Sequence, residues 1–363
     1  MILVLNTGSS SVKWRLFDDS FEVLAKGMVE RVGEDGGDAP DHESALRSIM
    51  DSLDLSELRA VGHRVVHGGP SFDGPALLDD EAIATIESLV PLAPLHNPPA
   101  LAGIRVARKL LPGLPQVAVF DTAFHATIPP AGSTWAIDTG LASRWQIRRY
   151  GFHGTSHAYV SRRTASLLGK RPDEVNVITL HLGNGASACA VEAGRSVATS
   201  MGMSPQGGLV MGTRTGDIDP TVIFHLHRVA GMPIDDIEES LTRHGGLLGL
   251  TGGNDMRAIQ GSDDPAARLA FDIYCRRIRE YIGAYLAVLG RSDADTFTGG
   301  VGENSAPVRA AALTGLTALG LDLDPARNDA GEPIISADTS PVKICVVPTD
   351  EEREIATQTA SLL

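Results

Sequence analysis

Two arginines, a histidine and a few carboxylates stand where charged side chains need a reason to be. Arg64 lies in Ala60-Val61-Gly62-His63-Arg64-Val65-Val66-His67, an apolar strand pattern stopped by Gly68-Gly69-Pro70. A guanidinium in such a strand is costly unless paired, so Arg64 is expected to face a cleft. Arg214 sits between Thr213 and Thr215 in a glycine-flanked turn, ahead of Asp217 and Asp219. Upstream of it stands the turn Gly183-Asn184-Gly185, where backbone N–H groups can approach an anion with no side chain in the way. A phosphate cradle followed by a loop arginine points to phosphoryl chemistry. Asp121 follows the apolar run Gln116-Val117-Ala118-Val119-Phe120. The carboxyl end of a strand in an α/β sheet is a favoured ligand position. His153 falls in the loop sequence Tyr150-Gly151-Phe152-His153-Gly154, and loops carry a large share of functional residues. Near the C-terminus, Thr349 and Glu352 have capping-box spacing. That gives Glu352 a structural role and leaves Glu351 as the candidate ligand.

These residues need elements to hold them. Residues 175–182 form an apolar run of strand length, and 187–191 alternate small and apolar residues up to Gly194. The pattern is strand, tight turn, strand. Gly183 to Ala188 also fits G-x-G-x-x-A, but that dinucleotide fingerprint requires a helix after the turn, and this period is a strand's. A second copy opens the chain. Met1-Ile2-Leu3-Val4-Leu5 is apolar, Asn6-Thr7-Gly8-Ser9-Ser10-Ser11 is a small polar turn, and residues 12–17 alternate again. A repeat of about 175 residues implies a duplicated domain with facing phosphate loops. The sequence contains no G-x-x-x-x-G-K-[ST] motif, which excludes a P-loop protein.

The rest of the chain supplies scaffolding. Residues 18–60 are acidic and weakly patterned, with room for a short helix within 41–58. Helical patterns cover 80–90 and 100–111, separated by a proline-fixed loop presenting His96 and Asn97. Later helices are expected from Asp219-Pro220 to Gly231, over 235–244, and from Asp264-Pro265 to Leu289 with Gly290 closing it. Residues 294–298 read as a strand, Gly299 to Asn304 as a third glycine turn, 306–319 as a helix and 343–347 as the last strand. At 363 residues the chain is long enough for two domains. Its hydrophobic content of 43% supports an ample core. The net charge is −14, from 31 basic and 45 acidic residues, which argues against nucleic acid or an anionic membrane as partner. Cys189, Cys275 and Cys345 are scattered without metal spacing and read as buried reduced thiols. The five-residue apolar start is too short for a signal peptide, and no apolar segment reaches membrane-spanning length, so the expected location is cytoplasmic.

Nine blocks occur in one order: N-T-G-S-S-S-V-K, G-H-R-V-V-H-G-G, L-A-P-L-H-N-P-P, V-F-D-T-A-F-H, Y-G-F-H-G-T-S-H, H-L-G-N-G, M-G-T-R-T-G-D-I-D-P, T-G-G-V-G-E-N-S and P-T-D-E-E. In this the chain resembles the acetate kinases from end to end. The resemblance implies two duplicated ribonuclease H-like (actin-like ATPase) α/β domains around a nucleotide cleft. The boundaries would be 1–125 plus 351–363 for the first and 126–350 for the second, which carries the adenosine site. It implies reversible phosphoryl transfer from ATP to acetate, giving ADP and acetyl phosphate by direct in-line transfer. Mg²⁺ would be the cofactor, with Mn²⁺ as a substitute, and the enzyme would be a homodimer. By resemblance, Asp121, His153, Arg214 and Arg64 are catalytic, with His96 and His181 in support. Asn6, Asp121 and Glu351 would serve the metal. Asn6, Lys13, His181, Leu182, Gly183, Asn184 and Gly185 would hold phosphates. Asp255, Met256, Arg257, Gly300, Val301, Gly302, Glu303 and Asn304 would hold adenosine. Arg64, Val66, Leu95, Phe152 and Pro205 would take acetate, and Val66, two residues past Arg64, shares its face if the strand continues. Thr7, Thr215 and Asp350 depart from the family's usual alanine, serine and asparagine, and residues 18–60 are shorter than usual. Two alternatives share these blocks or their fold: a propionate or other short-chain acyl kinase, and a nucleotide-driven binding module. A pure switch has no use for a cationic acceptor pocket, which weighs for an enzyme.

Overall fold

A computed structural model describes all 363 residues as two compact units. The first comprises Met1–Ala126, Phe152–Ser156 and Asp350–Leu363, and the second Thr127–Gly151 and His157–Thr349. The sequence pattern groups Phe152–Ser156 with the second half; in the structure the segment clusters with the first.

The first unit is built on β1 (Ile2–Thr7), β2 (Ser11–Phe17), β3 (Val23–Glu30), β4 (Ala60–Val65), β5 (Ala76–Leu77) and β6 (Gln116–Phe120), in the order β3-β2-β1-β4-β6-β5. β1 runs antiparallel to β2 and parallel to β4, and β4 runs parallel to β6. A strand buried on both faces reads as a continuous apolar run, as in Ile2 to Leu5. Successive side chains point to opposite faces. Leu3 and Leu5 therefore join one core with Val12, Leu16 and Leu46, while Ile2 and Val4 join another with Val117, Ile355 and Ala356. The helix Asn97–Leu110 covers one face and the C-terminal helix Glu351–Ala360 the other. Helix Asn97–Leu110 approaches β1 closely: a Cβ on Gly103 would stand 2.3 Å from Thr7 Oγ1. Thr7 is buried in that contact, with its side chain against the helix.

The second unit repeats the plan. β7 (Asn176–Leu182), β8 (Ala186–Glu192), β9 (Arg195–Thr199), β10 (Ala294–Thr298) and β11 (Lys343–Val346) lie in the order β11-β10-β7-β8-β9. β7 is antiparallel to β8 and parallel to β10, as β1 is to β2 and β4. A strand, not a helix, follows Gly183-Asn184-Gly185, so the dinucleotide fingerprint is absent as expected. The 25-residue helix Pro265–Leu289 packs behind β7 and β8, capped by Asp264 and closed by Gly290 at φ +66°.

Several boundaries differ from the sequence pattern. The acidic stretch 18–60 contains the edge strand β3, hidden from pattern reading because both of its faces are substantially exposed. Gly299–Asn304 is itself a helix and not a turn. The expected helix 306–319 breaks into Ala306–Leu313 and a short turn at Thr317–Leu319. Cys189, Cys275 and Cys345 are free and buried, and burial pushes each thiol up to about 12. No helix is long and apolar enough to cross a membrane.

Candidate functional site

In the first unit, the candidate side chains gather at the carboxyl ends of β4 and β6. Val61 to Val65 pair with Gln116 to Phe120, so the last residues of the two strands lie side by side. Asp121, next after β6, is 1% exposed, with its backbone N–H donating to Val65 O. Arg64 donates from Nε to Asp121 Oδ1 at 3.0 Å and from Nη2 to Oδ2 at 2.8 Å. This is the fork-to-carboxylate geometry that arginine alone provides. Glu351 Oε2 lies 3.5 Å from the same Nη2. Burial opposes the charge on Arg64, but Asp121, Glu351 and Glu352 outweigh it and hold the guanidinium above its ordinary pKa. The arginine thus gathers two carboxylates from distant parts of the chain. Its fork, through Nε and Nη2, is occupied by Asp121. The register of β1 on β4, with Leu5 opposite His63, brings Asn6 alongside Arg64.

His153 stands beside this cluster on a strained backbone. Gly154 N–H donates to Asp121 O at 2.9 Å, and a Cβ on Gly154 would lie 2.1 Å from that oxygen. His153 itself is at φ +55°, the left-handed region that few side chains adopt without cost. Phe152 is buried, its ring edge-on to His67 at 5.5 Å, and its carbonyl accepts from His125 Nε2 at 2.9 Å. Burial holds the His125 ring down at about 4, so it is neutral there. Asn97, expected beside His96 as a presented loop residue, is instead fully buried. Its side chain accepts from His67 N–H and donates to His67 O, tying the loop after β4 to the start of the helix Asn97–Leu110. Leu95 is 62% exposed in this unit and Val66 is half-buried, one residue beyond the end of β4.

The C-terminal helix corrects one sequence assignment. Its N-cap is Asp350, not Thr349, with the Asp350 side chain accepting from Arg353 N–H. Glu352 makes no capping box. Its carboxylate pairs with Lys13 Nζ and lies 3.5 Å from Arg15 Nη2, while Arg15 Nη1 donates to Asp350 at 2.8 Å. Burial would raise the Glu352 pKa, but Lys13 and Arg15 outweigh it and hold the carboxyl below its ordinary 4.5. Because the folded-state pKa is depressed, this stabilisation is fully present at neutral pH and is lost as pH falls from 4.5 through the lower folded-state value. Glu352→Ala is therefore expected to destabilise by about 1–3 kcal/mol, more than a lost cap, because it strips Lys13 and Arg15 of a buried partner. Urea unfolding at pH 7 and pH 4 checks this: the deficit should shrink at pH 4, and an equal deficit at both would contradict the ion-pair account.

In the second unit, the turn Gly183-Asn184-Gly185 is closed by Gly183 N–H donating to Gly185 O at 2.9 Å. Asn184 is fixed twice, its carbonyl accepting from Gly212 N–H and its Oδ1 from Asn254 Nδ2. Beside it opens a cavity of about 530 Å³, a size suited to a drug-sized ligand. Gly183, Asn184, Asp255, Met256, Arg257, Gly300, Val301 and Asn304 line it, all expected from the sequence. Glu303 and Gly302 do not. Glu303 turns back to accept from Gly299 N–H and Thr349 N–H, and Gly302 packs on Phe297 and Leu182. His181 and Leu182 are buried in β7. Sequence reasoning misses Tyr274 and Gln260, which also line the cavity. Neither gives a signal, since each sits on a helix with an ordinary apolar face.

Arg214 differs from Arg64. It forms no ion pair with any carboxylate, and Nη1 donates to Pro205 O at 2.6 Å. Burial alone lowers its pKa, which leaves a partly buried cation available to an anion.

A family model described as the acetokinase family matches residues 1–357. A Streptomyces coelicolor protein named acetate kinase is 56% identical over 393 aligned positions, covering 100% of this chain and 97% of its own. The crystal structure of a Porphyromonas gingivalis acetate kinase superposes with a TM-score of 0.94 at 41% identity, covering 99% of each chain. The crystal structure of a propionate kinase from Francisella tularensis gives 0.95 at 38% identity, covering 100% of this chain and 99% of that one.

Proposed function

The chain belongs to the acetokinase family, and from that premise we propose that it transfers the γ-phosphoryl group of ATP to acetate, reversibly, giving ADP and acetyl phosphate. The observation that carries this reading is the match over nearly the whole chain to a family and relatives of that activity. An acetate oxygen forms the new bond to the γ-phosphorus, and the bond to the β–γ bridging oxygen breaks, with its electrons leaving on ADP. Such a transfer needs positioning and charge neutralisation, not a covalent enzyme intermediate.

The residues take the following parts. The cavity beside Asn184 receives adenosine, and the turns at Gly8 and Gly183 offer backbone N–H groups to the phosphates. Arg64 holds Asp121 through its fork and keeps Nη1 for the acceptor carboxylate. Arg214 and His153 meet charge developing on the transferring phosphoryl. Asp121 and Glu351, with Asn6 beside them, would hold Mg²⁺, or Mn²⁺ in its place. The donor chemistry fits, because each carboxylate oxygen bound by Arg64 keeps a second lone pair. No cluster of three or more His, Cys, Asp or Glu side chains could hold a metal unaided, which suits an ion shared with substrate phosphates. When bound, the ion neutralises phosphate charge. The family resemblance also supports a homodimer, and the three buried thiols support a cytoplasmic setting. Light scattering of the purified chain tests the dimer.

The propionate kinase among the structural neighbours favours one second reading, a preference for a longer acyl chain. A hydroxamate assay for acyl phosphate, run with formate, acetate, propionate and butyrate, decides. Acetate should give the highest kcat/KM and propionate should follow, because one methylene in an apolar pocket discriminates by only about 1–3 kcal/mol. Val66→Ala should lower the propionate KM and leave acetate turnover largely intact. A wild-type preference for propionate, or an unchanged acetate-to-propionate ratio in Val66→Ala, would hand the site to the longer acid. No acyl phosphate from any acid would remove the phosphotransferase reading itself.

A further inference from the structure

We propose that Tyr281 and Asp217 form a latch that holds the Arg214 loop in its working shape, both acting as positioning residues; this rests on the phosphoryl-transfer reading above. The loop is cross-braced at a constant spacing of nine residues. Arg214 donates to Pro205 O at 2.6 Å, Gln206 Nε2 donates to Thr215 Oγ1 at 3.1 Å, and Gly208 N–H donates to Asp217 Oδ1 at 2.7 Å. The third rung is doubled by Asp217 N–H donating to Gly208 O at 3.0 Å. The two limbs leave no space between them: a Cβ on Gly216, at φ +72°, would stand 2.4 Å from Leu209 O.

Only the third rung is fastened to the long helix Pro265–Leu289. Tyr281 donates its hydroxyl to Asp217 Oδ2 at 2.5 Å. One turn earlier, Arg277 Nη1 reaches the carbonyls of Gly208 and Asp217, each at 3.3 Å. The Asp217 carboxylate therefore divides its oxygens, one for the loop and one for the helix. Burial, followed by Asp217 itself, pushes the Tyr281 pKa above its ordinary value, so the hydroxyl stays protonated and donating. The Tyr281 ring also packs edge-on to Tyr285 at 5.5 Å, which fixes its direction. Arg214 has no carboxylate to orient it, so its aim depends on the loop backbone; Thr213 and Thr215 tie that backbone to residues 241–245, and the latch is its fastening to the long helix. A misplacement of about 1 Å can cost on the order of a hundredfold in rate, so a loosened latch should be visible in turnover.

The test compares Tyr281→Phe, Asp217→Asn and the double variant with wild type. Tyr281→Phe keeps the ring packing and removes the donor. We expect kcat for acetyl phosphate formation to fall about five- to twentyfold, with the KM for ATP within about twofold and Tm lowered by no more than about 4 °C. The double variant should be no worse than the poorer single variant, because the two residues act as one unit. Amide hydrogen exchange across 205–217 should quicken in Tyr281→Phe. Normal kcat in Tyr281→Phe, a change in the ATP KM in place of kcat, additive losses, or unchanged exchange would each overturn the latch. The exchange measurement needs no substrate, so it reads the latch even if wild type makes no acyl phosphate.

Discussion

Asp121→Ala and Glu351→Ala are each expected to cut turnover by more than about a hundredfold, through lost charge neutralisation at the proposed metal site. The structure separates the two variants by their other effects. Asp121→Ala also strips Arg64 of its bidentate partner, leaving a largely buried guanidinium with Glu351, at 3.5 Å, as its remaining ion-pair partner. It should therefore lower Tm as well. Glu351→Ala leaves the Arg64–Asp121 fork intact and should cost little stability. Turnover measured against Mg²⁺ concentration, with Tm taken on the same samples, distinguishes them. If Glu351→Ala kept wild-type turnover while Glu352→Ala lost it, the metal role would belong to the neighbouring carboxylate.

Arg64→Lys and Arg214→Lys should each lose about ten- to a hundredfold in kcat, with ATP binding nearly unchanged. At Arg64, lysine keeps the charge but cannot offer two parallel N–H groups to Asp121, so the carboxylate is free to rotate. Tm should fall with activity. At Arg214 there is no carboxylate to release, so the loss should appear in kcat alone. His153→Ala should follow the Arg214 pattern, and a stability loss with normal kinetics there would reduce His153 to packing. Weakened ATP binding with normal kcat at saturation would move either arginine onto the nucleotide.

The duplicated plan is legible in the sequence because strand period and turn chemistry are local signals. Ile2 to Leu5 and the run before Gly183 announce buried strands, and each is followed by an alternating partner across a short polar turn. Arg64, Asp121 and Glu351 are legible as charges out of place, and the structure brings the three together. What stays hidden is anything decided by a distant partner. Glu352 fits a local cap, yet Lys13 and Arg15 at the other end of the chain claim it. Glu303 falls within a glycine-rich block and looks like a ligand, but it accepts instead from the N–H groups of Gly299 and Thr349. Gly299–Asn304 contains three glycines, poor helix formers, and is helical because packing against β7 and β10 overrides propensity.

His153 offers a last consequence, for anyone selecting heat-resistant forms of this protein. A non-glycine residue at φ +55° costs folding energy of order 1 kcal/mol, which the Gly154–Asp121 contact must override. Glycine at 153 would release that cost at once. A screen that rewards survival at high temperature and ignores turnover would therefore drift toward glycine here, gaining robustness while discarding the imidazole. A backbone position beside the Arg64 cluster that selection for stability alone would change is thus one to hold fixed as histidine when turnover matters.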